Sequence, residues 1–318
     1  MPVIDDKYEA DGFADMLLKS NGSSQSMGLE IPRRQPCAGS SPVTSMIKRG
    51  LQEHQGTHQR TGVEEMRKEL EENLEKEWKE EGFMTVKSQI TEEYKYRTEL
   101  HCHTLPVSSC SKVYADALVE AYKELGADTV VLTNHFTPEY IAGRTKAETI
   151  REYTECFHDL KKCAQKNGMT AVFGVEIRFS ENNNDYLIYG IQEENLEDIY
   201  EFVNKGIECF YREFKDNRNL ILQAHPFRNG MVLADLKSID GIETFNMHPN
   251  HNSRVGLAVS YAREHNLLVS GGTDFHELGH QGCCFVRTKT KIEDSYDVAN
   301  VLKSRDFVFD IFGNIILP

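Results

Sequence analysis

The sequence predicts an α/β protein: a mainly parallel sheet wound into a closed or nearly closed TIM-like barrel. Three observations carry that expectation. From about Tyr96 onward, short apolar runs alternate with helical patterns, the order that builds parallel strands joined by crossover helices. The runs are too short for helices and continuous enough for strands buried on both faces. And His, Asp or Glu recurs at the ends of these runs, where parallel barrels assemble their sites.

The first strand candidate closes with Glu99-Leu100-His101-Cys102-His103. Val130-Val131-Leu132, Ala171-Val172-Phe173, Leu187-Ile188-Tyr189, Leu220-Ile221-Leu222, Ile242-Glu243-Thr244-Phe245 and Leu267-Leu268-Val269 follow. Helical patterns lie between them at 115–125, 147–166, 196–214, 254–265 and 296–303, and no internal repeat is present. Ahead of the barrel, NGSSQSMG and PRRQPCAGSSPV are too polar to offset ordering entropy, so 1–61 is expected to be a disordered tail. Residues 62–95 are expected to form a charged amphipathic helix and a linker. In that segment Val63, Met66, Leu70, Leu74 and Trp78 recur at helical spacing among Glu and Lys, and Gly82 ends the pattern. The 63–81 helix serves either as a solvated helix docked on the domain edge or as a contact for a protein partner or second copy. The barrel is expected over 96–318.

With 39% hydrophobic and 27% charged residues, the 318-residue chain lies in the ordinary globular range. Its net charge of −14 argues against binding nucleic acid through general electrostatics, although a local basic groove stays open. No stretch approaches the roughly 20 apolar residues of a membrane helix, and the start lacks a basic region followed by an apolar run. A cytoplasmic protein is therefore expected. Its eight cysteines lack zinc-finger spacing, and the adjacent pair Cys283-Cys284 cannot easily join, so they are read as reduced thiols.

Because alternate strand residues point to one face, His101 and His103 project together and invite a metal. Later strand ends supply His135, Glu176 and His225; His248 and His251 follow Phe245, and Asp274 and His276 follow Val269. Any one of these has an ordinary explanation, since an isolated strand-end His is usually a hydrogen-bonded core or surface residue. Random placement of twelve histidines would not put such residues at successive strand ends. The chain has no acyl-hydrolase triad in a recognisable context and no GxxxxGK[ST] phosphate loop.

ELHCHT, LTNHF, GVEI, QAHPF, the PNHNSR turn and GGTDFH together resemble, in order, the motifs of the PHP family, named for its polymerase and histidinol phosphatase members. The resemblance runs from about Arg97 to near the C-terminus. It implies a distorted seven-stranded α/β barrel holding two or three divalent ions, zinc or manganese foremost and iron also compatible. It also implies that His101, His103, Asp274 and Glu176 hold the first ion, and that Glu176 bridges to a second completed by His225 and His251, with His248 in reserve. His135 and His276 would hold the third, with one ligand from the segment after His103. That segment reads LPVSSCS, without carboxylate or imidazole, so either Cys110 supplies a thiolate suited to zinc or the third site is weak or empty.

The activity implied is hydrolysis of a phosphoester in a small phosphorylated metabolite or nucleotide by metal-activated water. Glu176 would fix the ion pair, Arg228 and Arg254 would bind phosphate oxygens, with Arg178 a weaker candidate, and His276 would protonate the leaving group. Two alternatives stand beside it: a metal-stabilised structural or regulatory domain without catalysis, and an exonuclease. Loops 137–145 and 180–185 are expected to govern substrate choice.

Overall fold

The computed structural model describes residues 86–318. The expected tail over 1–61 and the expected helix over 63–81 lie outside the described residues. In order, the described elements are α1 (Val86–Glu93), β1 (Tyr96–Cys102), α2 (Ala115–Glu124), β2 (Thr129–Leu132), β3 (His135–Phe136), α3 (Pro138–Ile141), α4 (Lys146–Lys166), β4 (Thr170–Phe173), β5 (Val175–Arg178) and β6 (Asp185–Tyr189). They continue with α5 (Leu196–Phe202), α6 (Ile207–Phe214), β7 (Leu220–Gln223), β8 (Gly241–Asn246), α7 (Val255–Glu264), β9 (Leu268–Gly272), β10 (Cys284–Thr288), α8 (Ser295–Ser304), β11 (Val308–Ile311) and β12 (Asn314–Ile316).

Local chemistry accounts for these elements. Thr145 opens α4 with a reciprocal capping box to Glu148, and its apolar residues Tyr153, Phe157, Leu160 and Ala164 recur at helical spacing and are buried. The continuous helix expected over 196–214 is instead two helices. Gly206 stands between them at φ 80°, a left-handed conformation that breaks the helical path and that glycine adopts without steric cost.

The strands form two six-stranded sheets, ordered β12-β11-β10-β1-β2-β4 and β3-β5-β6-β7-β8-β9. Both are mixed, which corrects the expectation of a mainly parallel sheet. β1-β2-β4 and β7-β8-β9 run parallel, whereas β10, β11 and β12 pair antiparallel, as do β5-β6 and β6-β7. The ladders form two open sheets and not one closed seven-stranded ring. No helix separates β5 from β6 or β11 from β12, so the strand–helix rhythm gives no direction for the strand expected at 187–189 and passes over β10, β11 and β12.

The sheets share an apolar interior. Leu100, Val131 and Val172 from the first cluster with Leu187, Leu220 and Leu222 from the second, all nearly inaccessible to solvent. Neighbouring strand residues such as Val130 and Leu132 face outward, where they join a second cluster with Leu118, Tyr122, Tyr153 and Phe157 of the helices. Each such side chain contributes roughly 1.5–3 kcal/mol on burial.

One junction between the sheets matters most for function. β1 meets the segment after β9 through a bridge between Cys102 and Phe275, with the His103 amide donating to the Phe275 carbonyl at 2.9 Å and the Phe275 amide to the His101 carbonyl at 3.1 Å. Gly272 makes this approach feasible, because a Cβ there would lie 2.5 Å from the Cβ of His101. The junction sets the His101–His103 pair beside Asp274 and His276. Among the described residues, no helix is long and apolar enough to cross a membrane.

Candidate metal centre

Glu176 on β5 is fully buried and is the centre of the cluster. Its Oε1 lies 3.4 Å from His101 Nε2 and 3.2 Å from His225 Nε2; its Oε2 lies 3.3 Å from His103 Nε2 and 2.8 Å from His135 Nδ1. The short parallel pairing of β3 with β5 puts His135 in register with Glu176. Asp274, just past β9 at the far edge of the same sheet, has its Oδ1 3.4 Å from His101 Nε2 and 3.2 Å from His103 Nε2. His276 completes the group by stacking on His103 with ring centroids 4.3 Å apart, and its Nδ1 is 2.8 Å from the Asp274 carbonyl.

Two of these residues sit in backbone conformations that non-glycine residues adopt reluctantly: His225 at φ 31° and Asp274 at φ 55°. Surrounding bonds offset that cost. The His225 amide donates to Glu243 Oε2 at 3.1 Å, and Asp274 Oδ2 accepts from Arg228 Nη2 at 2.6 Å.

The cluster fits a divalent cation better than it fits itself. His101 Nε2, His103 Nε2, His135 Nδ1 and Glu176 Oε2 are buried and make no hydrogen bond of acceptable geometry, despite their close approaches. Such orphaned atoms are rare in native interiors and call for a missing partner. Three sets place their ligand atoms within 4.8 Å of one another: His101 with His103 and Asp274, His103 with His135 and His276, and His135 with Glu176 and Asp185. Imidazole with carboxylate is the donor chemistry of zinc, manganese and iron.

Electrostatics divide the imidazoles. Burial would lower His101 and His135, but Glu243, Asp274 and Glu176 around the first and Glu176 beside the second raise both well above the ordinary imidazole value, so an ion would displace a proton from them. Burial, reinforced by the neighbouring His276 and His135, holds His103 well below the ordinary imidazole value, which keeps its lone pair free. Burial would raise the Glu176 carboxyl, but His101 and His135 outweigh it and keep the group well below the usual carboxylate range. Burial likewise opposes ionisation of Asp274, and His101, His103 and Arg228 reverse it.

The PHP domain family matches residues 99–312. The chain belongs to the PHP family. It is a metal-dependent family, and the buried His, Asp and Glu groups here could hold metal ions. No curated protein matches the chain. Among solved structures it is similar to a candidate metal-dependent phosphoesterase from Bifidobacterium adolescentis, at 17% identity over 65% of this chain and 95% of that one, with a TM-score of 0.39. It is also similar to a two-domain protein from Bacteroides vulgatus containing a predicted PHP-like metal-dependent phosphoesterase, at 18% identity over 67% of this chain and 64% of that one, TM-score 0.47. PsfC from Pseudomonas syringae is similar at 16% identity over 64% and 87%, TM-score 0.47.

Within this PHP domain the candidates from sequence take different places. His101, His103, His135, Asp274, His276 and Glu176 fall in the compact sets. His225 touches Glu176, as given above, and lines the same cavity of about 340 Å³. His251 and His248 line that cavity with ring centroids 4.5 Å apart, but neither enters a compact set. Cys110 is exposed at the cavity wall. Burial would raise its thiol, but contacts with His135 and His276 bring it down to about 6. Arg228 lines the cavity beside Asp274, and Arg178 lines it in a two-point pair with Asp185 at 2.8 and 2.7 Å. Arg254 does not line it: the guanidinium bonds the Phe227 carbonyl and Asn229 Oδ1, bracing the loop that carries Arg228.

Sequence reasoning missed Asp185 and Glu243. Asp185 opens β6, and because β6 runs antiparallel to β5, it is the amino end of that strand that reaches the site. A rule that looks only at carboxyl ends passes over it. Glu243 is a charge inside an apolar run, which is itself a signal, since buried carboxylates need partners.

Proposed function

We propose that this PHP domain hydrolyses a phosphoester in a small phosphorylated metabolite or nucleotide, using water activated by two or three divalent ions, zinc or manganese foremost. The convergence of orphaned His and Glu atoms on one buried cluster carries the reading. When bound, the ions would lower the pKa of a water and neutralise phosphoryl oxygens.

His101, His103, Asp274 and Glu176 would hold one ion, and Glu176, whose Oε1 faces both His101 and His225, would extend to a second on the side of His225 and His251. His135 and His276 face a third position, where Asp185 and Cys110 are the further donors within reach. Arg228, fixed by Asp274 and Asn246, presents its cation at the cavity wall to a phosphate oxygen. Arg254 acts through the loop it braces. His276 sits where it can give a proton to a leaving alkoxide.

For the whole chain, the reading takes the two sheets as halves of a distorted barrel spanning 96–318. It takes 1–61 as dispensable and the 63–81 helix as the contact for any protein partner, and it places the protein in the cytoplasm. Protein reconstituted with manganese or zinc should release phosphate from at least one member of a phosphomonoester and nucleotide panel. His101→Ala and Glu176→Ala should abolish that release. Absence of turnover above these controls under every metal would leave the metal-stabilised structural domain as the better account.

A further inference from the structure

Behind the metal-facing atoms lies a carboxylate that belongs to none of the compact ligand sets. Glu243, in the middle of β8, is 1% exposed, and both its oxygens are engaged. Oε1 lies 2.9 Å from His101 Nδ1. Oε2 accepts from the His225 backbone amide at 3.1 Å and from Asn246 Nδ2 at 2.9 Å. Asn246 in turn lies 3.3 Å from Asp274 Oδ2 and accepts from Arg228 Nη2 at 2.5 Å.

We infer that Glu243 is the positioning residue of the centre, fixing the orientation of His101 and the strained backbone of His225 through one carboxylate. The geometry excludes a role as a ligand to the same ion as His101. Glu243 meets Nδ1, whereas the orphaned atom that faces Glu176 and Asp274 is Nε2, across the ring. A carboxylate accepting from Nδ1–H leaves the Nε2 lone pair aimed at the cluster, so ring rotation and the choice of nitrogen are both settled before an ion arrives. The other oxygen does comparable work on a different strand. His225 stands at φ 31°, and the bond from its amide to Glu243 opposes relaxation of that conformation. With Asn246 reaching Asp274, the one carboxylate is tied to three residues that approach the cluster from three strands.

The inference rests on the metal reading of the site, and the test separates the two. Zinc alone is the probe. In the zinc-loaded protein, nitrogen-correlated NMR of the imidazoles should show His101 protonated at Nδ1 and metal-bound at Nε2. Glu243→Gln places an amide against donors that need an acceptor, so zinc affinity at the His101 position should fall by about 10–100-fold. Thr244→Val is the control for mere loss of strand stability, because it removes only the bond from Thr244 Oγ1 to the Ser270 carbonyl on the same strand pair. It should leave zinc affinity unchanged. His101 bound through Nδ1, or equal weakening by Thr244→Val and Glu243→Gln, would overturn the inference while leaving the metal reading intact. If wild-type protein binds no zinc, manganese or iron, the metal reading itself fails and this inference with it. Should Glu243→Gln fail to fold, the wild-type spectrum alone decides.

Discussion

The apolar interior between the sheets and the metal centre at their ends are built from the same strands. On β1, Leu100 enters the interior while the adjacent His101 enters the centre. The interior satisfies itself: apart from Cys284 its members are aliphatic or aromatic, and the Tyr189 hydroxyl finds the Leu100 carbonyl at 2.9 Å. The centre does not, for it holds buried atoms without partners and two residues in reluctant backbone conformations. The difference teaches that the folding energy is concentrated in one region and spent in the other, so substitutions in the two should have separable effects.

The largest expected effect is at the centre. Glu176→Gln keeps size and shape but removes the charge facing four imidazoles, and phosphate release should fall about 10³-fold or more. Metal analysis should show weaker loading, with little change in the urea midpoint of the metal-free protein. A large loss of metal-free stability would mean that the centre helps hold the fold, against the division just drawn.

Leu220→Ala probes the other region. Leu220 is buried between the sheets at the start of β7, the end away from His225, so its truncation should cost about 2–5 kcal/mol of unfolding free energy by denaturant titration. Zinc affinity of the remaining folded protein should stay within about threefold of wild type, as distant sites act nearly independently.

Gly272→Ala sharpens the comparison because it lies where the regions meet. The added Cβ has to displace His101 or the β1 backbone. It should lower stability by about 1–3 kcal/mol and also weaken zinc binding, the one substitution here that moves both readouts.

The smallest expected effect is from Cys110→Ser. If its sulfur serves the position facing His135 and His276, metal content should drop by about one ion and zinc preference should weaken, with the Glu176-centred pair retained. Unchanged content and preference would mean that this position is either absent or built without Cys110, Asp185 being the carboxylate that stands with His135 and Glu176.

What local sequence determines is visible in particular residues. The spacing of His101 and His103 on one strand, the His and Asp residues past β7 and β9, the buried stripe of α4 and the short apolar runs of β2, β4 and β7 all follow from residue types at a period the backbone imposes. What tertiary structure alone decided concerns direction and distance. Strand polarity brought Asp185 to the centre and turned the expected parallel barrel into two mixed sheets, because antiparallel neighbours need no crossover helix to announce them. Arg254 was drawn to the carbonyl of Phe227 and away from the cavity. Glu243 was placed behind His101 by the pairing of β8 with its neighbours, a relation spanning 142 residues. Residue type and period are local properties of the chain, whereas a hydrogen bond between side chains so far apart exists only once the strands between them have been arranged.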